Sequence, residues 1–458
     1  MTTSRIASLS AAASLLLAAA LQAQQTQPPP VRQISRVTAV SHDSLSSVAA
    51  AVEVAGGRVY VNDILGHRVL MYDSTLAHPM VVADSDAASV NAYGNRPGTL
   101  LPFHGDSALF ITPASLSMLV LSPTGQISRV MAMPPGGGGL PALLGNIFGT
   151  PGFDARGRLV YFSPVRMQFR GPPPSDGPMT MTPPDSAFVV RFDFSSRTLD
   201  TAAAIHIPRT RTTMNRDDHG QMHVSMIAFP PATVDDWAVT ADGRLAVLRG
   251  RDYHVDWLEA DGSWSATPKM AYGWEHLDDE RKAALIDSTA AALQTVMDSM
   301  PARMARADGG SAGGANVQTR GGAAPGAAGG GGMVMVFAGP GGGGGDGPGG
   351  GGGGSGPPRN IQMSVPTVLK AAPADVPDYR PAFGQGAVRA DRDGNLWVRT
   401  TTVVDGRPVY DVVNRRGELT DRVQLPPFRT IAGFGAGVVL LGVCDSTGVM
   451  HLERARIR

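Results

Sequence analysis

The stretch RADRDGNLWVRT, residues 389–400, decides the fold of this chain. It places an Asp-Gly turn between two apolar stretches, and glycine accepts the positive φ that tight hairpin turns require. The pattern therefore predicts a β-hairpin. Similar stretches are FDARGRLVYF near residue 154, VTADGRLAVL near residue 242 and FGAGVVLLGV from residue 434, with weaker copies VAGGRVYVND at 54–63 and FHGDSALFITP at 103–113.

Each of these hairpins is followed by a strand that runs into a second turn, as in YHVDWLEADGSW at 253–264 and PVYDVVNRRGEL at 408–419. The six paired phrases start near residues 57, 106, 157, 243, 394 and 435. Away from two long insertions, their spacing of about 40–50 residues is the period of a four-stranded propeller blade. The sequence therefore predicts an all-β fold, a six-bladed β-propeller of four-stranded antiparallel blades over residues 33–458.

A closed ring of blades requires the two ends of the chain to meet. The segment QISRVTAV, residues 33–40, alternates apolar and polar residues and has no hairpin partner near it. We expect this segment to pair with the C-terminal meander as the outer strand of the last blade. A two-sheet sandwich is the alternative architecture, and the six regular units favour the propeller.

The phrases DRDGNLWV and ADGRLAVL resemble the blade signature of six-bladed propellers of the NHL and TolB-like superfamily. The likeness covers most of residues 33–458 outside the insertions. The chain has neither the Trp-Asp signature of WD-repeat blades nor a complete Asp-box, because Arg392 stands where that box needs aspartate. The resemblance implies the fold and leaves the function open.

Insertions of different kinds interrupt the predicted blades. Residues 277–306 predict an amphipathic helix with an apolar stripe along one face, formed by Ile286, Ala290, Leu293, Met297, Met300 and Met304. We expect this stripe to pack on the face or rim of the propeller, with a partner protein or a membrane surface as alternatives. Residues 309–358 are glycine-rich and predict a disordered insertion, because they cannot bury enough apolar surface. Residues 170–185 predict a projecting proline-rich loop.

Residues 1–23 have the layout of a secretory signal peptide, with Arg5, an apolar run and small residues at a cleavage point after Ala20 or Ala23. This layout predicts a periplasmic or secreted protein, and an uncleaved anchor is the alternative. Cys444 is the one cysteine, so no intramolecular disulfide can form. Its setting, VVLLGVCDS, predicts a buried strand thiol rather than a reactive nucleophile.

The charges of the chain balance, with 39 Lys and Arg against 39 Asp and Glu. No basic stripe with interleaved aromatic residues replaces a global positive field, so the composition argues against nucleic acid as a partner. We expect proteins or small molecules as partners. We expect no stable membrane insertion once the signal segment is cleaved.

Two pairs of residues predict ligand binding. Arg209 and Arg211 lie in the linking segment 206–236 and could hold a carboxylate or phosphate in bidentate fashion. Tyr272 and Trp274, in AYGWEH just before the predicted helix, form a candidate aromatic contact. Solvated surface cations are the alternative for the arginines.

Other aromatic and histidine residues have a structural explanation. Trp257 and Trp397 occupy strand positions where core packing is expected. His219 and His223 are four residues apart, which would suit a zinc site, but Gly220 and the missing glutamate do not fit the metalloprotease motif. Loop or surface histidines are the default interpretation.

Related six-bladed folds include calcium-dependent lactonases, whose metal is held near the axis by carboxylates and asparagines of the innermost strands. The resemblance therefore implies calcium as a candidate cofactor, since calcium prefers such oxygen ligands. The residues that could reach the axis are Glu53, Asn62, Asn146 and Asp236, with Asp63 and Asp235 beside them. No family motif matches these positions residue by residue, and turn or cap chemistry is the alternative.

No nucleophile elbow in a strand-to-helix context is recognisable, and GDSA at 105–108 lies in a predicted blade turn. No catalytic residue is therefore predicted. The sequence favours a ligand-binding or protein-interaction module whose recognition residues lie on inserted loops. The alternative is a calcium-assisted hydrolase or lyase, similar to the lactonases, with its site at the propeller axis.

Overall fold

The structure of the protein is a computed structural model that describes residues 28–34, 36–94, 98–112, 114–134, 149–163, 179–181, 184–209, 211–216, 222–230, 232–308 and 367–457. Several predicted features lie outside these residues. They are the signal peptide at 1–23, the glycine-rich segment 309–358, most of the proline-rich loop, Asn146 and His219.

The described chain begins with two short strands, β1 (Val31–Gln33) and β2 (Val37–Val40). The first sheet follows and contains β3 (Ala50–Glu53), β4 (Val59–Asp63), β5 (Arg68–Tyr72) and β6 (Met80–Asp84). The second sheet contains β7 (Thr99–Phe103), β8 (Ser107–Thr112), β9 (Ser117–Leu121) and β10 (Ile127–Ala132). Both sheets are antiparallel meanders.

The next strands along the chain are divided between two sheets. They are β11 (Gly152–Phe153), β12 (Leu159–Ser163), β13 (Met179–Met181), β14 (Ser186–Asp193), β15 (Thr198–His206), β16 (Thr212–Arg216) and β17 (Met222–Ala228). The third sheet has the order β11-β12-β14-β15. The strands β13, β16 and β17 belong to a further sheet that is described below.

The fourth sheet contains β18 (Asp236–Val239), β19 (Leu245–Arg249), β20 (His254–Leu258) and β21 (Trp264–Ala266). The long helix α1 (Asp279–Asp308) and the strand β22 (Thr367–Lys370) come next. The fifth sheet contains β23 (Phe383–Ala390), β24 (Leu396–Val404), β25 (Arg407–Val413) and β26 (Leu419–Gln424). The sixth sheet contains β27 (Arg429–Gly435), β28 (Val438–Cys444) and β29 (Met450–Arg456).

The glycine turns that the sequence predicted join the first two strands of their sheets. Gly157, Gly243 and Gly394 have φ values of 78°, 82° and 80°, in the region that favours glycine. A Cβ at Gly243 would also overlap the backbone of Ala155, in the turn of the preceding sheet. The turns are therefore tight and packed against one another.

The opening stretch of sequence is explained by the buried carboxylate of Asp391. This carboxylate accepts hydrogen bonds from the backbone N–H groups of Asp393 (2.9 Å) and Asn395 (2.8 Å). It also accepts one from Nε1 of the fully buried Trp397, at 3.1 Å. The aspartate thus fixes the turn and the tryptophan of the following strand together.

Apolar clusters join the six sheets into a ring. Each of six clusters in the described part of the chain lies between two sheets, and its members come from both. Trp257 and Trp397 belong to two of these clusters, so their predicted core role is confirmed. The last cluster joins Leu440 of the sixth sheet to Val61 of the first. Because the sixth sheet packs on the first, the fold is a β-propeller.

The N-terminal strands connect two neighbouring sheets. β2 pairs antiparallel with β29 as the outer strand of the sixth sheet, as predicted for residues 37–40. The prediction that residues 33–40 form one strand is wrong, because β1 pairs parallel with β26 of the fifth sheet. Ile34, between the two strands, is buried in the cluster that joins the fifth and sixth sheets. Burial of this side chain explains why the segment contributes to both sheets.

An additional sheet, which we call the insertion sheet, is built from the long insertions in the order β13-β16-β17-β22. The sequence predicts a loop over β13 and a linking segment over β16 and β17, so these three strands correct that prediction. β22 pairs in parallel with β17 although a long stretch of chain lies between Ala228 and Thr367, so distant segments of the chain meet in this sheet. β13 lies within the predicted proline-rich loop, and its methionine and threonine residues pair with β16.

The predicted amphipathic helix is present as α1. Asp278 caps its N-terminus, because its Oδ1 accepts a hydrogen bond from the N–H of Arg281 at 2.9 Å. Ala290, Leu293 and Met297 of the predicted stripe are buried against Ala228 of the insertion sheet. This part of the stripe therefore packs on the insertion sheet, which the sequence did not predict. Within the described residues, no helix is both long and apolar enough to cross a membrane.

Candidate ligand-binding cleft

A cleft of about 240 Å³ lies between the fourth and fifth sheets. One wall is the loop that follows β21, and the other is formed by β24, β25, β26 and the segment just before β1. The lining residues are Pro28, Ala271, Tyr272, Gly273, Thr402, Asp411 and Arg422. Two sheets and the N-terminal segment thus contribute to one site.

The polar part of the cleft is an aspartate held by two donors. Asp411 is 1% exposed, and its Oδ2 accepts a hydrogen bond from the Tyr253 hydroxyl at 2.7 Å. Its Oδ1 accepts one from Nε of Arg422 at 3.2 Å. Burial raises the pKa of Asp411, while the bonds from Tyr253 and Arg422 oppose that rise. Asp411 therefore orients the guanidinium of Arg422 at the lining of the cleft.

Tyr272 is the aromatic residue of the cleft lining, and it is the middle one of three contacting rings. Tyr253 contacts Tyr272 edge to face with centroids 5.4 Å apart, and Tyr272 contacts Trp274 in the same way at 5.3 Å. The Tyr272 hydroxyl lies 3.0 Å from Oγ1 of Thr401 and accepts a hydrogen bond from Thr402 at 3.3 Å. These contacts fix Tyr272 in one orientation, while Trp274 keeps 41% of its surface exposed.

The structure brings Tyr272 and Trp274 together, as the sequence suggested, and their ligand-binding role stays a prediction. Sequence reasoning missed Thr402, Asp411 and Arg422. One signal could have found Asp411: in RPVYDVV it alternates with Val409 and Val413, so a charged residue stands at an inward-facing strand position. Its partners come from distant parts of the chain, which no local pattern reveals.

The predicted arginines lie elsewhere. Arg209 is exposed and pairs with Asp185, with Nε and Oδ2 3.4 Å apart. Arg211 is also exposed, and its carbonyl oxygen accepts a hydrogen bond from the N–H of Ile227 at 3.1 Å. Neither arginine is among the described residues that line the cleft. The four predicted ligand contacts therefore do not form one site.

The predicted metal ligand Glu53 lies on β3 beside two cations. Its Oε2 is 3.2 Å from a guanidinium nitrogen of Arg454, and its Oε1 is 3.8 Å from one of Arg392. Oε1 also accepts a hydrogen bond from the N–H of Ala436 at 2.9 Å. The charge of this buried carboxylate is thus compensated within the protein.

Among the described residues, Asn62 and Asp236 each have one buried side-chain oxygen without a hydrogen-bond partner. Nδ2 of Asn62 donates to the carbonyl oxygen of Gly98 at 2.9 Å, while its Oδ1 finds no donor in the described part of the chain. Oδ2 of Asp236 accepts a hydrogen bond from the N–H of Val388 at 2.8 Å, and no described residue donates to its Oδ1. Burial raises the pKa of Asp236 to about 7.

The neighbouring acidic candidates have structural roles. Asp63 accepts a hydrogen bond from the N–H of Ser47 at 2.8 Å and pairs with Arg68 at 3.1 Å. Asp235 pairs with Arg249 at 2.8 Å. In the described part of the chain, no group of three or more His, Cys, Asp or Glu residues is arranged to hold a metal ion. The axial calcium site therefore stays a prediction.

Cys444 differs from its predicted setting. It lies at the last position of β28 and is half-buried, with Sγ 3.7 Å from the carbonyl oxygen of Asp445. The thiol lies in a strand, as predicted, but it is only partly buried, because the strand ends at this residue and the turn that follows leaves the sulfur partly open to solvent.

Comparison with known proteins adds a likeness of fold. No family model matches the chain, and no curated protein matches it. A virginiamycin B lyase from Staphylococcus aureus is similar in structure, with 7% identity and a TM-score of 0.33, over 92% of this chain and 99% of that one. A putative exported protein from Bacteroides fragilis has 6% identity and a TM-score of 0.38, over 94% and 95%. The calcium-binding protein regucalcin from Agrobacterium tumefaciens has 8% identity and a TM-score of 0.30, over 93% and 98%.

We predict that Asp236 makes the stability of the protein depend on pH. Its pKa is about 7 in the folded state against 3.8 as the reference value, so between these values the folded state binds a proton that the unfolded state does not. The free energy of unfolding should therefore fall as pH rises through this window, by up to about 1.4 kcal/mol per pH unit from this group.

Urea unfolding of the wild type and of Asp236→Asn between pH 4 and pH 8 tests this prediction. The asparagine variant keeps an oxygen for the N–H of Val388 but does not titrate. Its free energy of unfolding should fall less with rising pH than that of the wild type. Parallel pH profiles for the two proteins would contradict the prediction.

Proposed function

We propose that this protein is a binding module of the six-bladed NHL and TolB-like type, which acts in the periplasm or outside the cell. Its ligand would occupy the cleft between the fourth and fifth sheets. The observation that carries the proposal is the pairing of an orienting carboxylate, Asp411, with a guanidinium, Arg422, opposite the fixed ring of Tyr272. Such a combination of an aromatic surface with a few placed polar groups is typical of ligand sites.

The size of the cleft limits the ligand. Its 240 Å³ is below the range of about 300–1,000 Å³ that drug-sized ligands need. The cleft therefore suits a small polar molecule, such as a sugar, or one side chain of a partner protein. Trp274 stands beside Tyr272 and would extend the contact by stacking on that ligand.

The location and the partners belong to the same proposal. The layout of residues 1–23 supports export, and the balanced charge of the chain supports a protein or small-molecule partner rather than nucleic acid. Cleavage of the signal segment would leave a protein without stable insertion in a membrane.

Binding should depend on Trp274 and Arg422. A panel of monosaccharides, amino acids and dipeptides can be screened against the purified protein by thermal shift, with affinities measured by calorimetry. For a ligand that binds, Trp274→Ala and Arg422→Met should each weaken the affinity by about tenfold or more, because they remove a stacking surface and a charged donor.

Trp264→Ala is the matched control, because Trp264 is 46% exposed on β21, lies outside the cleft lining and, among the described residues, has no ring contact with Tyr272, whereas Trp274 has one. It should leave the affinity unchanged. A ligand whose binding survives both cleft variants, or is lost equally in Trp264→Ala, would contradict the assignment of this cleft.

A calcium-assisted hydrolase or lyase with an axial site is the second candidate function. The observation that favours it is the pair of buried oxygens without partners, Oδ1 of Asn62 and Oδ1 of Asp236, because calcium prefers carboxylate and amide oxygens. The compensated charge of Glu53 weighs against it.

Thermal melts of the protein in calcium and in EDTA distinguish the two candidates. An axial site would raise the Tm in calcium, since saturation at about 100 times the Kd stabilises by roughly 2.7 kcal/mol. The binding module that we propose predicts equal Tm values in both solutions. A calcium-dependent rise that Asp236→Asn abolishes would favour the hydrolase or lyase instead.

A further inference from the structure

Two arginines share one face of the fifth sheet. Arg389 on β23 pairs with Trp397 on β24, and Arg399 lies two residues beyond that tryptophan and pairs with Tyr410 on β25. Side chains alternate along a strand, so all four residues point to the same side. Diagonal neighbours of this kind lie about 7–8 Å apart. The two guanidinium groups can therefore reach one small group between them.

Neither arginine has an ion-pair or side-chain hydrogen-bond partner among the described residues. The ion pairs and side-chain hydrogen bonds there do not include Arg389 or Arg399, and the one cation–π contact belongs to Arg244. Other partly buried arginines of the sheets pair with carboxylates: Arg249 with Asp235, Arg422 with Asp411 and Arg429 with Glu453. Arg389 and Arg399 differ from these three arginines, because no carboxylate among the described residues forms an ion pair with either.

The burial of Arg389 without an ion pair lowers the stability of the protein. Arg389 is half-buried, and burial lowers its pKa, as does the neighbouring charge of Arg399. A cation removed from water without a partner destabilises a protein. Asp236 interacts with Arg389, but its own burial favours the neutral acid and its Oδ2 already accepts from Val388. The positive charge of Arg389 is therefore not fully compensated by the described residues.

We infer that this face of the fifth sheet is a second binding site, which takes an oxyanion, a carboxylate or phosphate group, between the guanidinium groups of Arg389 and Arg399. The Tyr410 hydroxyl supplies a third donor. Exposed Arg399 is the first contact from solvent, and half-buried Arg389 holds the anion at the back of the site. The planar fork of arginine matches the paired oxygens of both groups.

The oxyanion site is separate from the cleft and does not depend on the function proposed for it. Asp411 pairs with Val398, so its side chain points to the opposite face of the fifth sheet from Arg399 and Tyr410. Trp397, on the face of the two arginines, packs on Phe434 of the sixth sheet with ring centroids 5.2 Å apart. One site faces the fourth sheet and the other faces the sixth.

Thermal melts of the mature protein in sodium phosphate and in sodium acetate, each against sodium chloride at equal ionic strength, test the inference. At least one oxyanion should raise the Tm above that in chloride. Arg389→Met and Arg399→Met should each abolish the rise, because methionine keeps the apolar stem and removes the donors. Arg416→Gln is the control, since Arg416 is 78% exposed and pairs with Glu418 on the surface, and it should keep the rise.

A rise with phosphate alone or with acetate alone supports the inference and identifies the group. No rise with either anion, or the same rise in both methionine variants, overturns it.

Arg399 is exposed, so Arg399→Met decides the outcome if Arg389→Met does not fold. In chloride, Arg389→Met should melt above the wild type, because it removes an uncompensated charge. A large fall in its Tm would identify Arg389 as a structural residue and contradict the inference.

Discussion

The pairing of β2 with β29 is the interaction on which the rest of the structure depends. It supplies the outer strand of the sixth sheet from the N-terminal end of the described chain. A few residues earlier, β1 adds a strand to the fifth sheet, and Ile34 between them is buried where those two sheets meet. One short segment therefore holds the fifth and sixth sheets together at the point where the ring closes.

Closure of the ring places both candidate sites, because both are built on the fifth sheet. Strand alternation directs Asp411 toward the fourth sheet, where Tyr253 and Arg422 hold it at the cleft. The same alternation directs Arg399 and Tyr410 toward the sixth sheet. A shift of one residue in the register of β25 would exchange the two faces and destroy both sites.

Local features of the fold could be predicted from the sequence. The hairpin turns follow from residues within one phrase, such as Asp391, Gly394 and Trp397, and the helix follows from the spacing of its apolar stripe. The insertion sheet could not be predicted, because β22 pairs with β17 across a long stretch of intervening chain. The division of residues 33–40 between two sheets depends on the burial of Ile34, which alternation alone does not reveal.

The candidate sites follow the same rule. Tyr272 and Trp274 are close in sequence and could be found together. Arg422 reaches the cleft from another strand, and Tyr253 comes from another sheet, so their pairing with Asp411 appears only in three dimensions. The missing partner of Arg389 is likewise a property of its surroundings, since arginine occurs in many positions where a carboxylate compensates it.

Equilibrium unfolding of two truncated chains tests ring closure most directly. One chain begins at Pro28 and keeps β1, Ile34 and β2, and the other begins at Ser41 and lacks them. The account predicts that the shorter chain loses several kcal/mol of unfolding free energy, of which Ile34 alone supplies about 2 kcal/mol or more. Equal unfolding free energies for the two chains would show that the ring does not depend on its N-terminal strands, and would contradict the account.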